Sequence, residues 1–127
     1  MRENKFRVWD KETKNICEVR NIDFISEMVQ IKYQANYGVR ELENVILMQF
    51  TGLQDKNGVD IYEGDILIYQ HMFVDKKSVS EVIWNVKYSG FASYVEDDER
   101  RYILEKELKN QFEVIGNICE NPELLEV

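Results

Sequence analysis

The sequence predicts a mainly β protein with minor α, an N-terminal β-hairpin region packed on a C-terminal SH3-like small β-barrel. Three features predict it. The apolar runs at residues 45–50 and 66–69 are strand-length rather than helix-length. Val82, Trp84, Val86 and Tyr88 alternate with Ile83, Asn85 and Lys87, and the first set is uniformly apolar, as a half-buried strand requires. Turn signals at Asn57-Gly58, Gly64 and Ser89-Gly90 separate such runs at short spacing, the pattern of a small barrel or sandwich. Texture places the division between a hairpin region with an irregular extension at residues 1–44 and a barrel domain with a short C-terminal helical turn at residues 45–127.

In chain order, Phe6, Val8 and Asp10 face one way and Arg7 and Trp9 the other. Residues 10–15 form a polar turn, and Ile16, Cys17 and Val19 return as a strand. Residues 25–33 fit a helical face poorly, and Val29, Ile31 and Tyr33 fit a buried strand. Residues 34–44 are polar, contain Gly38 and read as a loop. Thr51-Gly52 breaks the strand that starts at Val45. Asn57-Gly58 suits a type I′ hairpin turn, in which both central residues need positive φ. Gly64 is the corner before the strand at 66–69. A second pair follows, with residues 79–88 turning at Ser89-Gly90 and returning over 91–95. Residues 75–78 and 96–101 are charged loops. Residues 102–111 fit a short helix through Leu104 and Leu108, or a strand beginning at Ile103-Leu104. Residues 112–118 form a final strand. Asn121 then caps a helical turn, with Pro122 at its first position and Glu123 favoured by the helix dipole, and Leu124, Leu125 and Val127 pin it to the body.

Composition bounds the function. Seven Tyr, six Phe and two Trp are too many rings for a disordered chain. No apolar run reaches the length of a membrane span, and the N-terminus has no signal-peptide core, so a reducing cytoplasm is expected. The formal net charge of -8 disfavours general nucleic-acid binding, which rests on neutralising phosphates. Arg2, Lys5, Arg7, Lys11 and Lys14 still make a locally basic N-terminus, read first as a solvated hairpin edge. Cys17 and Cys119 stand far apart outside any CxxC pair and read as small hydrophobes.

Catalytic candidates are few. Glu63 and Asp65 flank Gly64 and form a possible acid pair, but acids around a glycine also describe a turn in which they bond their own backbone. The acids of residues 96–99 lack the spacing of a calcium loop. His71 is the single histidine and has no motif around it. Tyr69, Trp84, Tyr88 and Tyr94 are candidates for a base-stacking platform, or for core and interface packing. Catalytic, cofactor-binding and metal residues are therefore assigned to none, and no cofactor is expected. The expected activity is non-enzymatic.

Four stretches, in order, make the punctuation specific. They are residues 6–10 (FRVWD), 48–58 (MQFTGLQDKNG), 61–66 (IYEGDI), and 113–118 (EVIGNI) with 121–125 (NPELL). Together they resemble the YopX family of phages and prophages of Gram-positive bacteria. Residues 21–44 and 70–111 carry no matching motif. The resemblance implies a mainly β chain with a barrel-like C-terminal part that assembles into homo-oligomers, and it supplies no catalytic residues. The motif glycines look like backbone punctuation, and Phe50 and Tyr62 like packing. The expected role is that of a phage or prophage accessory protein acting through protein contacts, as a homo-oligomer with an unidentified protein partner and no membrane. The alternative is a nucleic-acid-associated modulator, either a direct binder or an acidic DNA mimic.

Overall fold

The structure, a computed structural model, describes residues 5–71, 73, 75–85, 90–95, 100–103 and 110–125, with 85, 90–95 and 100–103 described by backbone alone. The chain divides into two compact units, Met1–Phe50 and Thr51–Val127. It is mainly β, as expected, and among the described residues helix is confined to short 3-10 turns.

The first unit begins with the expected hairpin, β1 (Phe6–Asp10) and β2 (Asn15–Asp23), paired antiparallel with Val8 opposite Cys17. Val8 and Asp10 are fully buried on one face, as their alternation predicts. Next come β3 (Met28–Tyr33) and β4 (Asn36–Glu41), a 3-10 turn at Leu42–Asn44, and β5 (Val45–Gln54). The strand order is β4-β3-β2-β1-β5. Val8, Cys17, Val29, Ile31 and Val45 form its buried core.

Two expectations fail here. The segment at 34–44 is not a loop, because β4 pairs with β3 along its whole length, from Tyr33 opposite Asn36 to Met28 opposite Glu41. Its polar composition is that of an edge strand, which needs no apolar face to be held by backbone hydrogen bonds. Nor does Thr51-Gly52 end β5. Gly52 bends it at φ 87°, and the Thr51 hydroxyl spans the bend, donating to the Ile61 carbonyl (2.7 Å) and accepting from the Leu53 N–H (3.2 Å).

A bulge in β2 shapes this sheet. Val19 pairs with Ile31 but Asn21 with Gln30, so one residue is extra. Arg20 and Asn21 consequently both lie on the exposed face, while Val19 and Ile22 both pack against the core. Bulges increase local twist. From β4 to β1 is three strand spacings, about 14 Å if flat, yet Arg40 Nε lies 3.1 Å from Asp10 Oδ1. The reach of the arginine and the curl of the sheet together close that distance.

The second unit takes β5 from Thr51 on, and in it β6 (Asp60–Tyr62) lies beside β5. A five-stranded antiparallel sheet follows in the order β10-β9-β8-β7-β11. Its strands are β7 (Asp65–Gln70), β8 (Lys77–Asn85), β9 (Gly90–Val95), β10 (Arg100–Ile103) and β11 (Phe112–Asn117). Ile61, Leu67, Tyr69, Val82 and Phe112 make its core. Closure of a sheet into an SH3-like barrel is not among the described pairings. Arg100 and Arg101, expected in a charged loop, pair with Val95 and Tyr94, and Tyr102 and Ile103 continue that strand, not a helix. The rest of the helix alternative, 104–109, lies outside the described residues, as do Val86, Tyr88 and the acids of 96–99. The expected buried face of β8 is correct for Val82 but not for Trp84, which is 42% exposed near the strand end.

The chain ends in the 3-10 turn Pro122–Leu125. Asn121 precedes it, but its side chain turns back to accept from the Asn117 N–H (3.3 Å) instead of capping forward. Leu125 is half-buried and Leu124 exposed, so Leu124 does not pin the turn as expected; Val127 lies outside the described residues.

Candidate functional site

The polar residues of the central motif converge on backbone. Asp55 is fully buried, and its carboxylate accepts from the N–H groups of Asn57 (2.8 Å), Val59 (2.9 Å) and Val114 (2.9 Å). The Gly58 N–H reaches the Asp55 carbonyl (3.1 Å) and the Asp55 N–H the Val59 carbonyl (2.9 Å). This is a four-residue turn closed by Gly58 at φ 80°, and Asn57 is not in the left-handed region. The expected type I′ turn is thus replaced, because the Asp55 carboxylate organises the loop from its first position. Lys56 and Asn57 then reach across to Glu113 (3.4 and 3.5 Å).

The Glu63–Asp65 pair is placed by the same logic. Asp65 is buried and accepts from the Tyr62 N–H at 2.7 Å, while Glu63 is half-buried. Gly64 between them donates to the Val82 carbonyl (3.0 Å) and accepts from the Ile118 N–H (2.9 Å). In the neighbouring strand β11, Asn117 is the cross-strand partner of Asp65, and its side chain accepts from the N–H groups of Cys119 and Glu120.

The other candidates are dispersed. His71 Nε2 lies 2.7 Å from Ser78 Oγ, and the ring packs edge-on against Tyr69. Tyr69 is itself buried against Phe112. Tyr69 pairs with Ser78, six residues along β8 from Trp84, a separation of about 20 Å. Those two rings share no platform; Tyr88 and the Tyr94 side chain lie outside the described residues. Cys17 is buried and Cys119 half-buried, both as free thiols. Burial, with the charge of Asp10 beside it, pushes the Cys17 thiol up, away from the reactive thiolate. Of the basic N-terminus, Arg2 lies outside the described residues. Lys5 sits over the Phe50 ring (4.5 Å), Arg7 Nε donates to Met48 Sδ (3.3 Å) and Lys11 Nζ to the Glu43 carbonyl (3.1 Å). Lys14 occupies the hairpin turn at φ 57°. Among the described residues no three His, Cys, Asp or Glu side chains gather as a metal site, and no helix is long and apolar enough to cross a membrane.

Two surface features of the first unit were missed by sequence reasoning. One is an apolar margin at the β2–β3 turn and along β4, where Phe24, Ile25 and Val39 are 67%, 98% and 55% exposed. The other is a groove of about 270 Å³ lined by Glu18, Val19, Arg20, Lys32 and Tyr37. Glu18 stands opposite Lys32, and Lys32 opposite Tyr37, so three strands contribute one row. The Arg20 guanidinium lies 4.4 Å above the Tyr37 ring.

A family model described as YopX protein matches residues 5–126. The chain belongs to the YopX family. The match includes residues 21–44 and 70–111, which carry none of the four motif stretches. The YopX-family fold recurs in the crystal structure of protein EF1440 from Enterococcus faecalis, at TM-score 0.70 and 27% identity over 99% of this chain and all (100%) of that one. It recurs in the X-ray structure of protein yopX from Bacillus subtilis, at TM-score 0.67 and 23% identity over 99% and 100% of the two chains. No curated protein matches the chain.

Proposed function

We propose that this YopX-family protein is a non-enzymatic phage or prophage accessory protein, acting in the host cytoplasm through self-assembly and contact with a partner protein. The observation that carries the reading is the apolar margin of the first unit. Phe24 and Ile25 crown the β2–β3 turn, and Val39 lies on β4, the last strand of its sheet. A terminal strand leaves a row of backbone groups unpaired, a template for pairing with another chain, and Val39 adds an exposed aliphatic side chain to it. The motif residues support the same reading from the other side, since Asp55, Asp65 and Asn117 are spent on backbone N–H groups. Light scattering on the eluting protein tests it. A defined oligomer is expected, shifted toward monomer by Val39→Lys and Ile25→Ser; a monomer at high concentration sinks self-assembly.

One observation favours a second reading, an acidic DNA mimic. Thr51–Val127 carries 16 acidic and 8 basic residues, whereas Met1–Phe50 carries 8 of each, so the net charge of -8 resides in the second unit. A mimic would displace DNA from a host DNA-binding protein, in competition that weakens steeply with salt.

A further inference from the structure

The groove on the outer face of the first unit binds a ligand, we propose, and its chemistry points to a single nucleoside phosphate. Its lining combines three kinds of group. Arg20 and Lys32 supply two cations from neighbouring strands, and neither makes an ion pair among the described residues. Glu18 stands opposite Lys32 in register, yet the two form no ion pair, so both head groups remain available. Tyr37 is 53% exposed, with the Arg20 guanidinium 4.4 Å from its centroid on one side.

The arrangement is made by the β2 bulge. The extra residue keeps Val19 and Ile22 on the core side while Arg20 remains on the outer face with its guanidinium over Tyr37. Bulges commonly re-aim side chains beside binding sites. Lys32 and Tyr37 are direct cross-strand partners, with Cβ atoms about 5 Å apart. That is a short step from an aromatic surface to a cation, the step from a base or its sugar to a phosphate. Guanidinium and ammonium groups are the usual phosphate donors. A base stacks on an aromatic ring, and a carboxylate such as Glu18 accepts sugar hydroxyls. The volume, about 270 Å³, sits just below the usual range for small-molecule pockets, so the class of ligand is a small one. The acid in the groove and the chain's net charge of -8 disfavour a polyanion. Tyr37 shares β4 with Val39, but none of Phe24, Ile25 and Val39 lines the groove, and ligand-induced shifts are read independently of oligomeric state, so the site and the assembly reading fail separately.

The test is titration of the isotope-labelled chain with adenosine 5′-monophosphate, adenosine or inorganic phosphate, followed by backbone amide shifts. Saturable shifts at Glu18, Arg20, Lys32 and Tyr37 are expected, tightest for the monophosphate. The double variant Arg20→Gln/Lys32→Gln should weaken binding by at least about tenfold, since two charge-assisted hydrogen bonds are lost. Tyr37→Leu should weaken the monophosphate and leave phosphate unchanged, and Lys14→Gln, in the exposed hairpin turn, should change nothing. All four positions are exposed, so an unchanged amide spectrum shows the variants folded. The proposal is overturned by absence of saturable shifts at millimolar ligand. It is overturned equally by binding indifferent to the double variant, by phosphate binding as tightly as the nucleotide, or by a short oligonucleotide binding more tightly than the monomer.

Discussion

Asp10 shows how one side chain fastens a unit. It is fully buried and accepts from Thr13 Oγ1 (2.7 Å), Arg40 Nε (3.1 Å) and the Glu12 N–H (3.3 Å). Burial pushes its carboxyl up, but those hydrogen bonds and the Arg40 charge outweigh it, and the net shift is downward. A carboxyl lowered on folding stabilises the fold above its unfolded value, near about 3.9. That stabilisation drains away as pH falls through the lower folded value. Asp10→Asn is expected to cost about 2 kcal/mol at neutral pH and to make the loss of stability between about pH 5 and 2 shallower. Urea midpoints across that range measure both effects; parallel acid limbs in the two proteins would remove Asp10 as the cause. Among the described residues Asp55 has no cationic partner, and it draws three N–H groups to one carboxylate.

Among elements, β11 and the turn after it depend on a close approach. A Cβ at Gly116 would stand 2.6 Å from Asn121 Oδ1 and 3.0 Å from Asn121 Cβ. The Asn121 side chain is there because it accepts from the Asn117 N–H. Gly116→Ala is therefore expected to cost about 1–3 kcal/mol, the usual range for overpacking. In an Asn121→Gly background the added cost should be much smaller. A double-mutant cycle on thermal or urea unfolding reads the coupling, and strict additivity would refute it. Elements with a buried apolar face were legible in the sequence: β1, β3, β5, β7 and β11 follow from Val8, Ile31, Met48, Leu67 and Phe112. β4 was not, because an edge strand held by backbone pairing leaves no periodicity to read. The Asp55 turn differs for another reason: Asn-Gly is one local signal, and the Asp55 carboxylate overrides it by taking the Asn57 and Val59 N–H groups, held in place by a third bond from Val114, 59 residues away. The groove was illegible too. Glu18, Arg20, Lys32 and Tyr37 become neighbours only through a register that includes the bulge after Val19.

Across the whole molecule, charge is partitioned by unit. Met1–Phe50 is electrically balanced, and Thr51–Val127 carries the entire formal charge of -8. Self-repulsion weakens a compact acidic body. Raising ionic strength from about 0.01 to 0.15 M shortens the screening length from about 30 to 8 Å. Salt should therefore stabilise the second unit and leave the first nearly unchanged, read as amide hydrogen exchange in β7 against β3. Equal responses in both units would show that net charge does not govern the difference. Each unit also contains one indole, Trp9 in β1 and Trp84 in β8. With either replaced by phenylalanine, the intrinsic emission of the other follows one half of the polypeptide by itself. The molecule thus carries two native fluorophores, by which the melting of its halves can be timed without a dye.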